Sequence, residues 1–373
     1  MDAASAQNMN GGLHANFIKR FPSGPEIQIN SLQTRVAAVV TVIFGPSGAG
    51  KTTVLRCLAG LERPQEGIIT FNGRVWSDVS KGLFVPSRER KIGFVPQQFA
   101  LFPHLSIERN IAYGLNGMNF EERRSRVDEM MKWLGLGGLE KRLPHELSGG
   151  QQQRVALGRA VAPKPELLLL DEPLGALDSP TRLRLRADLR QLLKDTSTPA
   201  LLVTHDRTDA LALGDDLVVL NAGKIAQQGQ VTDVFREPAN VAVAEIVAME
   251  TVQPGRVIES GELITVAIGK QILRALNRGL ETEFKEVFVC IRAEDVILVK
   301  GDPVRGSARN CLTGIVRTVM LEGQMVSIDL DCGFPLKALL TKQACEELAL
   351  RTGDHLQALV KAPHVHLIPR MPG

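Results

Sequence analysis

Four residues at fixed spacing, Gly45, Gly50, Lys51 and Thr52, are suited to holding a phosphate. They belong to the segment Gly45, Pro46, Ser47, Gly48, Ala49, Gly50, Lys51, Thr52 and Thr53, which directly follows the apolar run Val36 to Phe44. Such a run reads as a buried strand, and glycines after it let consecutive backbone N–H groups curl around an anion. Lys51 can then reach the terminal phosphates and the Thr52 hydroxyl can ligate Mg²⁺, while a helix opening near Gly50 turns its positive end to the same place. A second apolar run, Leu167 to Leu170, delivers Asp171 and Glu172 to its carboxyl end. In a parallel sheet that edge is where ligands bind. Asp171 suits the outer shell of the metal, and Glu172, pointing elsewhere, suits polarising the attacking water. Alone, the acidic pair would read as a helix cap. With a phosphate loop upstream it reads as the machinery of nucleoside triphosphate hydrolysis.

A third segment narrows the class. In LSGGQQQR, Leu147 to Arg154, the residues Ser148, Gly149 and Gly150 form a second anion-binding turn at the start of a helix expected to run through Arg159. Together these motifs resemble the ATPase subunits of ABC transporters. The resemblance implies ATP and Mg²⁺ as ligands, and a head-to-tail homodimer in which the Ser148 turn contacts the γ-phosphate held by the other subunit. It also implies that Gln97, in IGFVPQQ, senses Mg²⁺ and the attacking water while touching the membrane partner. Asp178, in GALD, matches the loop that crosses the dimer seam, and His205, in LLVTHD, matches the γ-phosphate histidine. For adenine stacking Phe21 is the candidate, with Phe17 close by and no flanking motif to decide between them. The segment Leu101 to Leu115 falls where the family docks its permease. Pro96 departs from the family, which places an aromatic residue before that glutamine.

Composition sets the broader frame. With 373 residues, 44% of them hydrophobic, two domains with real cores are expected. Lys+Arg 44 against Asp+Glu 41 leaves a formal +3, too balanced for a nucleic-acid surface. The cluster Arg123, Arg124 and Arg126 reads as the solvated face of a helix over Glu121 to Leu134, whose apolar side is Val127, Met130, Met131 and Leu134. Five cysteines without a CxxC pair suit a reducing compartment. No apolar run approaches the ~20 residues that span a bilayer, and MDAASAQNMNGG lacks the regions of a signal peptide. A chain of this kind that drives transport needs a separate permease, with the ATPase peripheral on the cytoplasmic face of the inner membrane.

The expected architecture is an α/β nucleotide-binding domain with a helical insertion over residues 13–238, a linker over 239–250, and a small OB-like β-barrel over 251–370. Short alternating strands punctuated by glycine signal the barrel. Within it, SARNCLTGIV at Ser307 to Val316 and VKAPHVHLIP at Val360 to Pro369 resemble the molybdate-binding Mop domain, over about sixty residues. In that family the SARN turn and a Lys-Ala strand from a neighbouring copy form the cradle, so the resemblance implies Ser307, Ala308, Arg309, Asn310 and Lys361: a hydroxyl, backbone N–H groups and two positive charges, with Asn310 bracing the turn. Such donors suit a tetrahedral oxyanion without separating molybdate from tungstate or sulfate. The nearest relatives implied are the ATPases of molybdate importers, supplied by an external oxyanion-binding protein and carrying a regulatory molybdate site in the tail. Sulfate, iron, polyamine or sugar importers are the alternative, and a soluble ATPase acting on nucleic acid or ribosomes lacks the basic arm or second cassette it would need. His364 and His366 read as edge-strand residues sharing a face, without a third metal ligand.

Overall fold

The computed structural model describes residues 11–34, 40–175, 179–196, 198–280, 284–301 and 306–370. Asp178 lies outside them. The chain divides into two compact units between Thr232 and Asp233.

The first unit is built on an eleven-stranded sheet. Five strands at one end of it run parallel, in the order from the sheet's margin Ile92–Val95, Leu167–Asp171, Ala200–Thr204, Val40–Phe44 and Asp216–Asn221. Every residue of the three middle strands is buried, as their unbroken Val, Ile and Leu runs require when both sheet faces are covered. The other six strands form a largely antiparallel wing that includes Leu13–Lys19 and Ile27–Gln33. Because four of the parallel strands lead directly into Gln97, Glu172, His205 and the Gly45 loop, one sheet edge collects the candidate chemistry.

Three helices, Ile107–Ala112, Phe120–Trp133 and Gly149–Val161, pack on one another beside the strand Ile92–Val95. Asn119 caps Phe120–Trp133 in a box with Glu122, and Val127, Met130, Met131 and Leu134 are buried as the periodicity predicts. The arginine cluster on this helix is more than a solvated face. Arg126 donates to the carbonyls of Val161 and Ala162, closing the end of the helix Gly149–Val161, and Arg123 donates to Ala112 O. The apolar stripe of Leu101 to Leu115 is mostly core, with Ile107, Ile111 and Leu115 buried, while Tyr113 is exposed.

Outside the motifs, one arginine organises the wing. Arg90 is buried and donates to the carbonyls of Val85, Cys57, Leu58 and Trp76. Its guanidinium thereby ends the helix Lys51–Leu58 that follows the phosphate loop, and it lies over the rings of Trp76 and Phe84. Burial without a carboxylate partner pushes its pKa down to about 10.

The second unit contains two five-stranded antiparallel sheets that share one apolar core. Hydrogen bonds link them from Lys337 N to Thr251 Oγ1 at 3.2 Å and through Asn310 to Arg274. Residues 239–250 carry the short helix Val241–Ile246, capped by Asn240. The buried Arg292 donates to the carbonyls of Phe235, Val247 and Ala248 and approaches Glu250, fastening this segment to the sheets. The two histidines do not share a strand face. His364 sits in a 3₁₀ turn, 2.8 Å from Asp295, whereas His366, on the edge strand Val365–Pro369, donates from Nε2 to Pro238 O.

Candidate functional site

The phosphate loop closes on itself around Lys51. Its Nζ donates to the carbonyls of Gly45 and Pro46 at 2.9 Å each. Burial lowers the pKa of this ammonium, and the nearby Glu172 and Asp171 carboxylates pull it back up. Gly48 and Gly50 take positive φ of 79° and 97°, the left-handed conformation that directs loop N–H groups inward and that glycine adopts without strain. A Cβ on Gly45 would stand 2.2 Å from Leu220 O, so the loop has no room for a side chain there. This cradle, with a buried cation at its centre, fits a polyphosphate.

Across from it, Thr52 Oγ1 donates to Asp171 Oδ1 at 3.1 Å, bringing together two of the three residues expected around Mg²⁺, the third being Gln97. Burial raises the Asp171 carboxyl, partly countered by the Thr52 bond. Glu172 follows in the left-handed region at φ 44°, a strained conformation for a side-chain-bearing residue that typically costs ~1–3 kcal/mol. Gln97 Nε2 donates to Glu172 Oε2 at 3.0 Å, and His205 Nδ1 lies 3.0 Å from Oε1. A carboxylate only accepts, so Nδ1 carries the hydrogen and Nε2 is the second functional atom of the ring. Both oxygens keep lone pairs for a water.

Ser148 caps the helix Gly149–Val161, accepting from Gln151 N while Gln151 Oε1 accepts from Ser148 N. With Ser148 N committed to that box, Gly149 and Gly150 supply the N–H groups at the helix start that an anion-binding turn needs. Of the two aromatic candidates, Phe17 is 1% exposed in the core and Phe21 is 37% exposed with Lys19 Nζ above its ring, which leaves Phe21 as the ring a base can reach.

Some participants escaped the sequence reading. Arg159, on the Ser148 helix, donates to Phe99 O and Ala100 O, two left-handed residues just after Gln97. Along the helix Ser179–Thr196, Arg182, Arg186 and Arg190 pair with Asp206, Asp209 and Asp215. Arginines at every fourth position, followed by acidic residues after THD, were the available signal.

In the second unit Asn310 pairs with Val360 across antiparallel strands, which places the Ser307–Arg309 turn and Lys361 at the same strand ends. Ser307, Arg309 and Lys361 are exposed and Ala308 half-buried. Asn310 is buried with its amide committed to Arg274 N, Arg274 O and Val360 O. It braces the turn and leaves anion contact to its neighbours.

A cassette that binds and hydrolyses ATP is the class that the first unit's sheet edge defines. A family model described as ABC transporter matches residues 32–175, and one described as TOBE domain matches 306–367. The Fe(3+) ions import ATP-binding protein FbpC of Brucella abortus is 43% identical over 258 residues, 68% of this chain and 71% of that protein. The molybdenum import ATP-binding protein ModC 1 of Azotobacter vinelandii is 35% identical over 337 residues, covering 87% and 91%. The sulfate/thiosulfate import ATP-binding protein CysA of Mycobacterium tuberculosis is 38% identical over 320 residues, covering 84% and 82%. Among solved structures, the dimeric structure of a bacterial ABC transporter cassette is 32% identical, with a TM-score of 0.50 over 59% of this chain and 98% of that one. The same cassette in a post-hydrolysis state was solved with ADP and Pi. The chain belongs to the ABC transporter family, among the ATPase subunits of its importers. Its β-rich second unit is of the TOBE, OB-like type.

Proposed function

We propose that this ATPase powers uptake of molybdate or tungstate through a separate permease, as a homodimer peripheral to the cytoplasmic face of the inner membrane. The observation that carries the cargo is the register Asn310 to Val360, which sets Ser307, Ala308, Arg309 and Lys361 at one place. A hydroxyl, backbone N–H groups and two cations there fit a tetrahedral oxyanion better than a ferric ion or a sugar. Coverage of both units by the molybdenum relative supports the same cargo. Sulfate is the competing reading, favoured by the sulfate/thiosulfate relative of similar coverage. Isothermal titration of the full chain with molybdate, tungstate and sulfate separates them, with Ser307→Ala and Lys361→Ala combined as the control. Heat with molybdate and tungstate that the double variant loses is expected. Heat with sulfate alone would transfer the cargo assignment, and none with any anion would remove it.

In the dimer, each ATP and its Mg²⁺ would lie between Lys51, Thr52 and Asp171 of one chain and the Ser148 turn of the other, with Phe21 stacking on adenine. Glu172 would activate the water, assisted by Gln97 and His205, and Asp178 would cross the seam. Lys51→Ala mixed with Ser148→Arg tests this arrangement, because the mixed dimer concentrates both defects in one site and leaves the other intact. Activity in the mixture above that of either homodimer is expected, and activity no higher than either speaks against the shared site. The tail's oxyanion site, on the product side of the pump, suits feedback inhibition by accumulated anion. That role needs anion to bind one state of the dimer better than another. ATPase rates of the transporter that stay flat against rising internal molybdate would remove it.

A further inference from the structure

Hydrolysis by Glu172 and His205 needs their distance held, yet they leave the ends of different strands, Glu172 half-buried and His205 exposed. The helix Ser179–Thr196 supplies a tie between those strand ends. Arg182 donates from Nη2 to Gly175 O at 3.3 Å and from Nη1 to Asp206 Oδ2 at 3.1 Å. Gly175 closes the turn that begins at Glu172, with its N–H donating to Glu172 O at 3.1 Å. Asp206 directly follows His205, and its other oxygen, Oδ1, accepts Asp209 N to cap the helix Arg207–Leu213. Asp206 N in turn donates to Thr204 Oγ1 at the strand end.

Resting on the reading of Glu172 and His205 as the catalytic pair, we infer that Arg182 is a positioning residue for hydrolysis: its guanidinium fork sets the Glu172 turn and the His205 loop in register through Gly175 and Asp206. The planar fork is what the task needs, since two acceptors on separate loops must be held at once. Lysine offers its donors from a single nitrogen, so it would need both acceptors within reach of one point instead of two separated N–H groups. The guanidinium and the Asp206 carboxylate are both partly exposed, at 26% and 29% of their side chains, so their pairing contributes little to folding stability. Its effect should therefore appear in turnover, where a displacement of about 1 Å can cost ~10²-fold.

The test uses the full chain and four variants. Arg182→Gln removes the fork, and Asp206→Asn keeps an oxygen for the helix cap while replacing the acceptor that faces Arg182. Each is expected to lower kcat roughly 10- to 100-fold, with the KM for Mg-ATP within about twofold and the unfolding temperature within about 3 °C. Combined, they should lose no more than the worse of the two alone, because both break one connection. Arg182→Lys should recover part of the loss. Multiplicative losses in the double variant, or a fall in kcat matched by a fall in Mg-ATP affinity, would overturn the positioning role. Glu172→Gln and His205→Ala are measured alongside. Normal turnover in Arg182→Gln beside a silent Glu172→Gln removes the positioning role alone, whereas normal turnover in both catalytic variants removes the underlying pair and Arg182's role with it.

Discussion

Removing the Asn310 amide should loosen the second unit at the place where its two sheets meet. The side chain accepts Arg274 N at 2.6 Å and donates to Arg274 O at 3.0 Å and Val360 O at 3.1 Å. Arg274 belongs to one sheet and Val360 to the other. Asn310 is 2% exposed, so water cannot replace these bonds without opening the structure. Each is worth about 1 kcal/mol net, and orphaned buried partners add to the loss, which places Asn310→Ala at about 3–5 kcal/mol. For a unit of this size that is a fall of roughly 10–17 °C in its unfolding transition. Asn310→Asp should be worse at neutral pH, because an acceptor then faces two carbonyl oxygens. Its carboxyl would be pushed up by burial, and the sign follows: a raised folded pKa gives stability present below about pH 4 and lost as pH rises through the folded value. Calorimetry gives the transition, and hydrogen exchange at the Arg274 amide gives the local opening. An Asn310→Ala chain that melts within ~2 °C of wild type, with Arg274 protection unchanged, would refute the account of this residue as the bond between sheets.

Glu172→Gln should bind Mg-ATP normally and hydrolyse it ~10²–10⁴-fold more slowly, since the phosphate loop is untouched; near-normal turnover would remove the base. Arg90→Met should destabilise the first unit by about 3 kcal/mol even after the gain from no longer burying a cation, and denaturant titration showing under ~1 kcal/mol would contradict the capping role. Burial raises the Asp171 carboxyl, so without metal its contribution to stability is present below about pH 4 and lost as pH rises through its folded value. Asp171→Asn should flatten that part of the melting-temperature curve, and superimposable curves would count against the burial argument.

The residues of the hydrolytic site were legible because their chemistry is local: a phosphate loop needs its glycines, lysine and threonine consecutively, and a buried strand announces where Asp171 and Glu172 emerge. What joins those segments was not. Arg90 lies in SRERK, where it looks like any surface charge, and only the fold shows four carbonyl oxygens converging on it. Phe17 and Phe21 are chemically alike and four positions apart; the first lies within a strand on its buried face and the second beyond the strand's end at Lys19. His364 breaks the alternation with His366 because Pro363 helps bend the chain into a 3₁₀ turn. Arg126 looked solvated because helical periodicity reports which face is apolar, not which helix end lies within an arginine's reach. In the tail the later strands were legible one by one from alternation, while Thr251–Glu259, Leu263–Ile268 and Gln271–Leu276 were legible only as part of the change of texture after Thr251.

Arg292 decides where this chain can be cut. Among the described residues, all ten strands of the second unit begin at or after Thr251, so a fragment starting there would keep each of these strands. It would also lose Phe235, Val247, Ala248 and Glu250, the groups around a guanidinium that is 2% exposed. A cation without its acceptors cannot stay buried at small cost, and the sheet beneath it would have to open to water. Separate expression, swapping of tails between relatives and insertion of tags therefore share one rule: the portable piece starts at Asp233, and its first eighteen residues travel with the sheets they help to close.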